Sequence, residues 1–365
     1  MPKFIEATDA KSRSGNSSER FCAGPVDDHT GGQTIVRTPK LLRCLVVLSC
    51  AGLVFGAPAV AQAAAGYPDK PIHLVVPYPA GGGADHWGRV VAHKMATRLG
   101  QPIIVENIPG KGGNIGTGVA AKGIPDGYTL LLGSVGPLAV HQFTYASLPF
   151  DPQRDFVPVA LLESSPILLV AASTAKIISV KQLLELARAR PGMVTYASNG
   201  NGSPEQVAGE LFKARLQVDL HHLPYDGAGP ARKAVLAGDA ALMFDPCKGA
   251  LPAIYQGLQR PLAVAASKRI AGLPGVPTFA EAGLPHFELR IWTGLLAPAG
   301  TPPAVVDVLN EAIREIVASA DIKKDIADEG GEAGSLTPRR FADFIASERT
   351  LWSMLVRESG VPQVP

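Results

Sequence analysis

The chain has four cysteines in 365 residues and no long block of like charge. Cys22, Cys44 and Cys50 all lie in the first fifty residues. Removal of a presequence leaves Cys247 alone, so no intramolecular disulfide can form. Charge is sparse and balanced, with 34 Lys and Arg against 32 Asp and Glu. That balance excludes a nucleic-acid partner, whose phosphates require dense Lys and Arg. No H-x-x-x-H occurs and His221 and His222, adjacent on a strand, point to opposite faces, so neither a metal nor a cofactor is expected. Ser134 and Ser198 lack a G-x-S-x-G context, and no nucleophile–base pair is apparent; an enzyme is not expected.

What is present begins with a leader. Residues 1–40 are polar, then Arg37, Lys40 and Arg43 flank an apolar run from Leu45 to Val60 that ends in A-x-A spacing. This is the layout of a secretory signal peptide, and about 16 apolar residues fall short of the roughly 20 that span a bilayer. Cleavage is expected after Ala61 or Ala63, making 1–63 a presequence whose first 36 or so residues read as a mis-assigned start. A lipid anchor at Cys50 is disfavoured because the apolar run continues past it. Cleavage after Ala63 removes seven of the 34 basic and five of the 32 acidic residues, leaving 27 of each.

Past the leader, short β-rich runs alternate with helical patterns. IHLVV (72–76), QPIIVEN (101–107) and YTLLLGS (128–134) read as strands, and Trp87, Val91, Met95 and Leu99 mark one face of a helix. FVPVALL (156–162), PILLVAAS (166–173), VTYAS (194–198), VDLHHLPY (218–225), ALMFD (241–245) and PLAVAAS (261–267) continue the series. Helices are expected over 179–190, 204–216, 229–237, 303–318, 320–329 and 338–358. Strand alternating with helix implies βαβ units, a parallel sheet, and two α/β lobes with a cleft beyond the strand ends.

Two loops carry the chemistry. In PYPAGGGADHWGR (77–89), Gly81, Gly82, Gly83 and Ala84 open a helix whose free N–H groups and dipole favour an anion. The stretch also reads as a plain turn. It lacks the Lys-Ser/Thr of a phosphate loop and the last glycine of a dinucleotide fingerprint, where His86 stands instead. Asp85 is expected at the helix cap or in its first turn. In YASNGNGSPEQVAGELF (196–212), Ser198, Gly200, Asn201, Gly202 and Ser203 repeat the arrangement. There Ser203 reads equally as an N-cap or as an anion ligand, and together the loops would clamp a molecule with two acidic ends. Asp245 and His141 are weaker candidates: a cleft contact or a loop cap, and a carboxylate donor or a surface histidine. Trp87 reads as core.

These stretches, with LGQPIIVENIPGKGGNIG, LPFDPQRDFVPVALL, HLPYDGAGPA, LPGVPTFAEAGLP and APAGTPPAVV, resemble the Bug-type extracytoplasmic receptors of tripartite tricarboxylate transporters. The resemblance runs from about Tyr67 to Gly360. It implies an α/β, type II periplasmic-binding-protein fold, with 67–170 plus 293–365 as one domain and 171–292 as the other. It also implies a periplasmic, monomeric receptor for a di- or tricarboxylate, acidic amino acid or aromatic acid, working with membrane permease subunits. A periplasmic ligand sensor for a signalling protein is the alternative. The implied ligand residues are Tyr78, Gly81, Gly82, Gly83, Ala84, Asp85, Ser134, His141, Ser198, Gly200, Asn201, Gly202, Ser203 and Asp245. Ala84 stands where Thr is frequent in the family, His141 where Asn is, and Asp226 where Lys is. Amino-terminal sequencing of exported protein should read from Gln62 or Ala64; recovery of residues 1–40 on the mature chain would exclude the leader.

Overall fold

The computed structural model describes residues 66–328 and 330–365; the expected presequence lies outside them. The first strands, β1 (Ile72–Val76), β2 (Ile103–Asn107) and β3 (Thr129–Ser134), are parallel and joined through α1 (Gly83–Leu99) and α2 (Asn114–Ala121). In α1, Trp87, Val91 and Met95 are buried as their spacing predicts, and Gly100 in the left-handed region closes the helix by donating to Ala96. A short turn over 136–140 leads into α3 (His141–Thr144).

β4 (Phe156–Ala172) then runs for 17 residues, where the sequence suggests two separate strands. Glu163, Ser164, Ser165 and Pro166 look like a loop in the sequence, yet the three polar ones are buried. The Glu163 carboxylate accepts hydrogen bonds from Ser165 and Thr293, so its charge is met inside the sheet. Next come α4 (Val180–Ala189), β5 (Thr195–Ser198), α5 (Pro204–Leu216), β6 (His221–Pro224), α6 (Ala228–Ala237), β7 (Leu242–Pro246), α7 (Cys247–Tyr255) and β8 (Gln259–Val264). The chain returns through β9 (Arg290–Pro298), α8 (Pro303–Ala318), α9 (Ala320–Asp328), β10 (Glu332–Ala333) and α10 (Pro338–Ser359).

The strand order is β2-β1-β3-β9-β4-β7-β5-β6, with β8 and β10 also on β4. β9 is antiparallel to both β3 and β4, and β7 and β8 are antiparallel to β4. The sheet is therefore mixed rather than parallel. The sequence reading lacked β9 because RIWTGLLAP carries no flanking βαβ pattern. β4 changes partners abruptly: β9 pairs it as far as Pro166, and β7 begins at Ile167. One end of β4 thus belongs to the strands of β1–β3 and the other to those of β5–β8.

The two strand sets are tied by helices as well. In α5, Arg215 bonds both carboxylate oxygens of Glu358 in α10, at 2.8 and 2.9 Å, and donates to the His286 carbonyl. At the centre of β9, Gly294 faces the Phe341 ring and the Ala160 carbonyl so closely that a Cβ would overlap both. Overpacking of this kind costs typically 1–3 kcal/mol. Gly294→Ala should lower the unfolding free energy by about that amount, read as a lower urea midpoint with an unchanged m-value.

Candidate functional site

The first glycine loop ends in an extended Gly82 at the N-cap of α1, with no side chain capping it. Gly81 sits in the left-handed region at φ +82°, which a residue with a Cβ rarely adopts. Among the described residues, the N–H groups of Gly82, Gly83 and Ala84 have no acceptor, as the first turn of a helix requires. Asp85 is a first-turn residue rather than a cap. Its buried carboxylate accepts from the Gly81 N–H at 2.9 Å and from Arg89 at 3.1 Å. Burial pushes this carboxyl up, but the bonds from Arg89, Gly81 and Asn107 outweigh it and hold the group below its usual range. Asp85 therefore fixes the loop, with its carboxylate engaged by Gly81 and Arg89.

Beside the loop, the Tyr78 and Ser134 hydroxyls share a hydrogen bond of 2.7 Å. Burial raises the Tyr78 phenol far above its ordinary value, so it stays protonated. His141 is a buried histidine, not a surface one. Its Nδ1 lies 2.7 Å from the Asn114 Oδ1, an acceptor, so the ring hydrogen is on Nδ1 and Nε2 has none to give. Burial lowers its pKa to about 3. The expected role as a donor to a carboxylate does not fit a neutral ring of this tautomer.

The second loop differs from the first. Ser203 caps α5, its hydroxyl accepting from the Gln206 N–H at 3.2 Å, as the cap reading expects. The Gly200 N–H goes to the Ser198 hydroxyl, the Gly202 N–H to the Gln206 Oε1, and the Ser203 N–H to the Gly200 carbonyl. The loop therefore consumes most of the amide hydrogens expected to face a ligand. Its carbonyls are engaged too, Asn201 by the Tyr145 hydroxyl at 3.1 Å and Gly202 by Thr144 at 2.9 Å. Both donors lie at the end of α3, so the loop is held against that helix.

Ser198 and His222 form a serine–histidine pair that the sequence did not reveal, with Oγ and Nε2 2.7 Å apart. Because Gln206 Oε1 receives the Gly202 N–H, its Nε2 faces His222 Nδ1 at 3.3 Å and donates to it. The ring hydrogen then sits on Nε2 and points at the serine, whose own hydrogen goes to the Gly200 carbonyl. A histidine that donates to a serine cannot act as its base. Ser198 is also completely buried.

Asp245, at the end of β7, is fully buried and held by Arg232 of α6 through two bonds of 2.6 and 2.9 Å. Burial pushes its carboxyl up against the pull of the guanidinium. Glu205, in the first turn of α5, is buried nearby and acts electrostatically on Tyr78 of the first loop. The Lys248 Nζ of α7 stands 4.1 Å from the centre of the Trp87 ring in α1. Trp87 is core, as expected. Glu205, Arg232, Thr144 and Tyr145 were missed in the sequence. Only the S-P-E opening of α5 offered a signal, and it reads as an ordinary acidic first turn.

Two strand sets sharing β4, each with a glycine loop at the end of one of its strands, match the two-lobe fold of periplasmic binding proteins. Solved structures agree. A protein of R. palustris with adipate is 31% identical, covering 82% of this chain and all of that one, with a TM-score of 0.79. The periplasmic binding protein BugD is 30% identical over 82% of this chain and all of that one, with a TM-score of 0.76. MatC of Rhodopseudomonas palustris, with bound malate, is 33% identical, covering 80% of this chain and all of that one, with a TM-score of 0.75. Protein BugT of Bordetella pertussis is 39% identical over 295 residues, covering 80% of this chain and 90% of the relative. The tripartite tricarboxylate transporter family receptor model matches residues 88–361, and the chain belongs to that family. It is a solute-binding receptor rather than an enzyme. No helix among the described residues is long and apolar enough to cross a membrane.

His141 gives the fold a pH signature. Its ordinary value of 6.5 applies to the unfolded chain, so below pH 6.5 unfolding takes up a proton that the folded state refuses. The stability it contributes is complete above 6.5 and is lost on acidification at up to about 1.4 kcal/mol per pH unit. Urea titrations at pH 6.5 and 5.5 should show that slope reduced in His141→Gln.

Proposed function

We propose that the chain captures a small organic carboxylate between its lobes in the periplasm and delivers it to the permease of a tripartite transporter. The observation that carries this reading is the set of unpartnered N–H groups at Gly82, Gly83 and Ala84. They open a 17-residue helix, whose dipole adds to their attraction for an anion. The contact between Trp87 and Lys248 supports a position for this helix start on the cleft side. Tyr78 and Ser134, sharing one hydrogen bond, supply the neighbouring hydroxyls. Adipate and malate, found with two related receptors, are both small dicarboxylic acids.

The change of partner in β4 after Pro166 and the start of β9 at Arg290 suggest the lobe boundaries. On this reading residues 67–166 and 290–365 form the first lobe and 167–289 the second, with the two crossing strands as the hinge. The receptor acts as a monomer exported by its leader. Closure is a hinge motion favoured by a ligand that touches both lobes.

A thermal-shift screen of exported protein against mono-, di- and tricarboxylates should stabilise it by mass action. At Gly82 a Cβ meets only the Pro79 carbonyl, at 3.6 Å, and φ is −88°. Gly82→Val should therefore keep the fold while weakening carboxylate binding by about tenfold or more, equivalent to about 1.4 kcal/mol. No shift with any acid, or unchanged affinity in Gly82→Val, would defeat the reading.

A further inference from the structure

The second glycine loop is joined to the strand set of β1–β3 by bonds that protein atoms make directly. Thr144 donates its hydroxyl to the Gly202 carbonyl at 2.9 Å, and Tyr145 donates its own to the Asn201 carbonyl at 3.1 Å. Both donors are buried, Thr144 completely. Gly202 sits in the left-handed region at φ +78°, and a Cβ there would meet the Tyr145 ring, the Thr144 hydroxyl and the Val364 side chain at 2.8, 3.1 and 3.2 Å. Val364 is itself fixed to the same corner. Its N–H donates to the Thr144 carbonyl at 2.7 Å, and its carbonyl accepts from the Ala146 N–H at 2.8 Å. The loop therefore fits closely against a surface built from two separate stretches of the first strand set.

The place of this contact in the sheet makes it sensitive to rotation. Along the order β3-β9-β4-β7-β5, Thr144 and Tyr145 follow a strand two places from β4 on one side. Asn201 and Gly202 follow a strand two places from it on the other. At about 4.8 Å per strand, the strands that carry the partners each lie roughly 10 Å from β4. With β4 and β9 as the crossing strands, a rotation that parts the lobes also parts these hydroxyls from their carbonyls. Two other contacts join the strand sets: Lys248 over Trp87, and Arg215 with Glu358 at the far end of α5. Both involve charge, and the Glu358 side chain is 46% exposed, so salt screens that pair. The Thr144 and Tyr145 bonds are neutral and buried.

We propose that Thr144 and Tyr145, backed by the Val364 segment, form a latch that holds the lobes together by itself, so that part of the population is closed before any ligand binds. The inference rests on the lobe boundaries given above and goes beyond the receptor reading, because the latch needs no ligand. When the lobes part, the Asn201 and Gly202 carbonyls pass to water and lose little. When they close without the two hydroxyls, the same carbonyls are buried without donors, which is the costly case. The hydroxyls thus favour the closed form specifically. A ligand then meets a receptor whose competent form is already populated, and its apparent affinity gains by that fraction.

Small-angle scattering by the exported protein, dialysed free of small acids, tests the latch without any ligand. Thr144→Val and Tyr145→Phe remove the hydroxyls and keep the side-chain shapes; circular dichroism checks that each variant folds, and Tyr145→Phe alone suffices if the Val variant does not. The expected result is a larger radius of gyration in the variants than in the unaltered protein, in low and in high salt. Calorimetry with malate and adipate should then show a Kd weakened by up to about fivefold in either variant and up to about twentyfold in both together, as loss of one and two neutral hydrogen bonds implies. An unchanged radius in a folded variant overturns the proposal. A larger radius with an unchanged Kd also overturns it, since the latched form would then not be the one that binds. If neither acid binds the unaltered protein, the scattering still decides the latch, and the wider carboxylate screen decides the receptor reading separately.

Discussion

Seventeen consecutive residues of β4 run through the protein with almost every side chain buried, and their backbone polar groups must be paired wherever the strand goes. That requirement organises the molecule. No single neighbouring strand accompanies β4 throughout, so β9 and β10 serve one end and β7 and β8 the other. The point of exchange falls at Pro166, a residue with no N–H to place in a ladder. Two lobes arise because one strand is shared between two sets of partners. The glycine loops then lie at the strand ends on either side of the division.

The two loops look alike in sequence and behave differently in the structure. The first keeps its amide hydrogens available, because Asp85 folds back only as far as Gly81. The second satisfies itself through Ser198, Gln206 and the Ser203 cap, and gives its carbonyls to Thr144 and Tyr145. Recognition is thus divided unequally. The start of α1 keeps free backbone N–H groups, while the opening of α5 has its amides and carbonyls already engaged.

Helices were largely legible in the sequence because their signals are local. The opening of α5 at Ser203-Pro204, the apolar stripes of α8 and α10, and the left-handed Gly100 and Gly360 that end α1 and α10 all act within a few residues of themselves. The family was likewise readable from contiguous motifs. The rest depends on long-range pairing. Glu163 looks like a break in a strand until Thr293, 130 residues away, supplies its hydrogen bond. β9 has no meaning without β3 and β4 on its two sides. Glu205, Arg232 and Asp245 are separated in sequence by 27 and 13 residues and meet only when α5, α6 and β7 pack together.

The position of β9 also bears on the order in which the chain can fold. It fills the space between β3 and β4, yet it follows all of β5–β8 along the sequence. The sheet that begins with β1 therefore cannot be completed until the whole of the other lobe has been delivered. Its contacts span much of the chain, and such distant pairings close slowly. A chain emerging amino terminus first holds an unfinished β3 edge for most of its passage, while the contiguous β5–β8 region can already assemble. The lobe that starts first is the last to be finished, and the interval is when an exposed strand edge is most open to wrong partners.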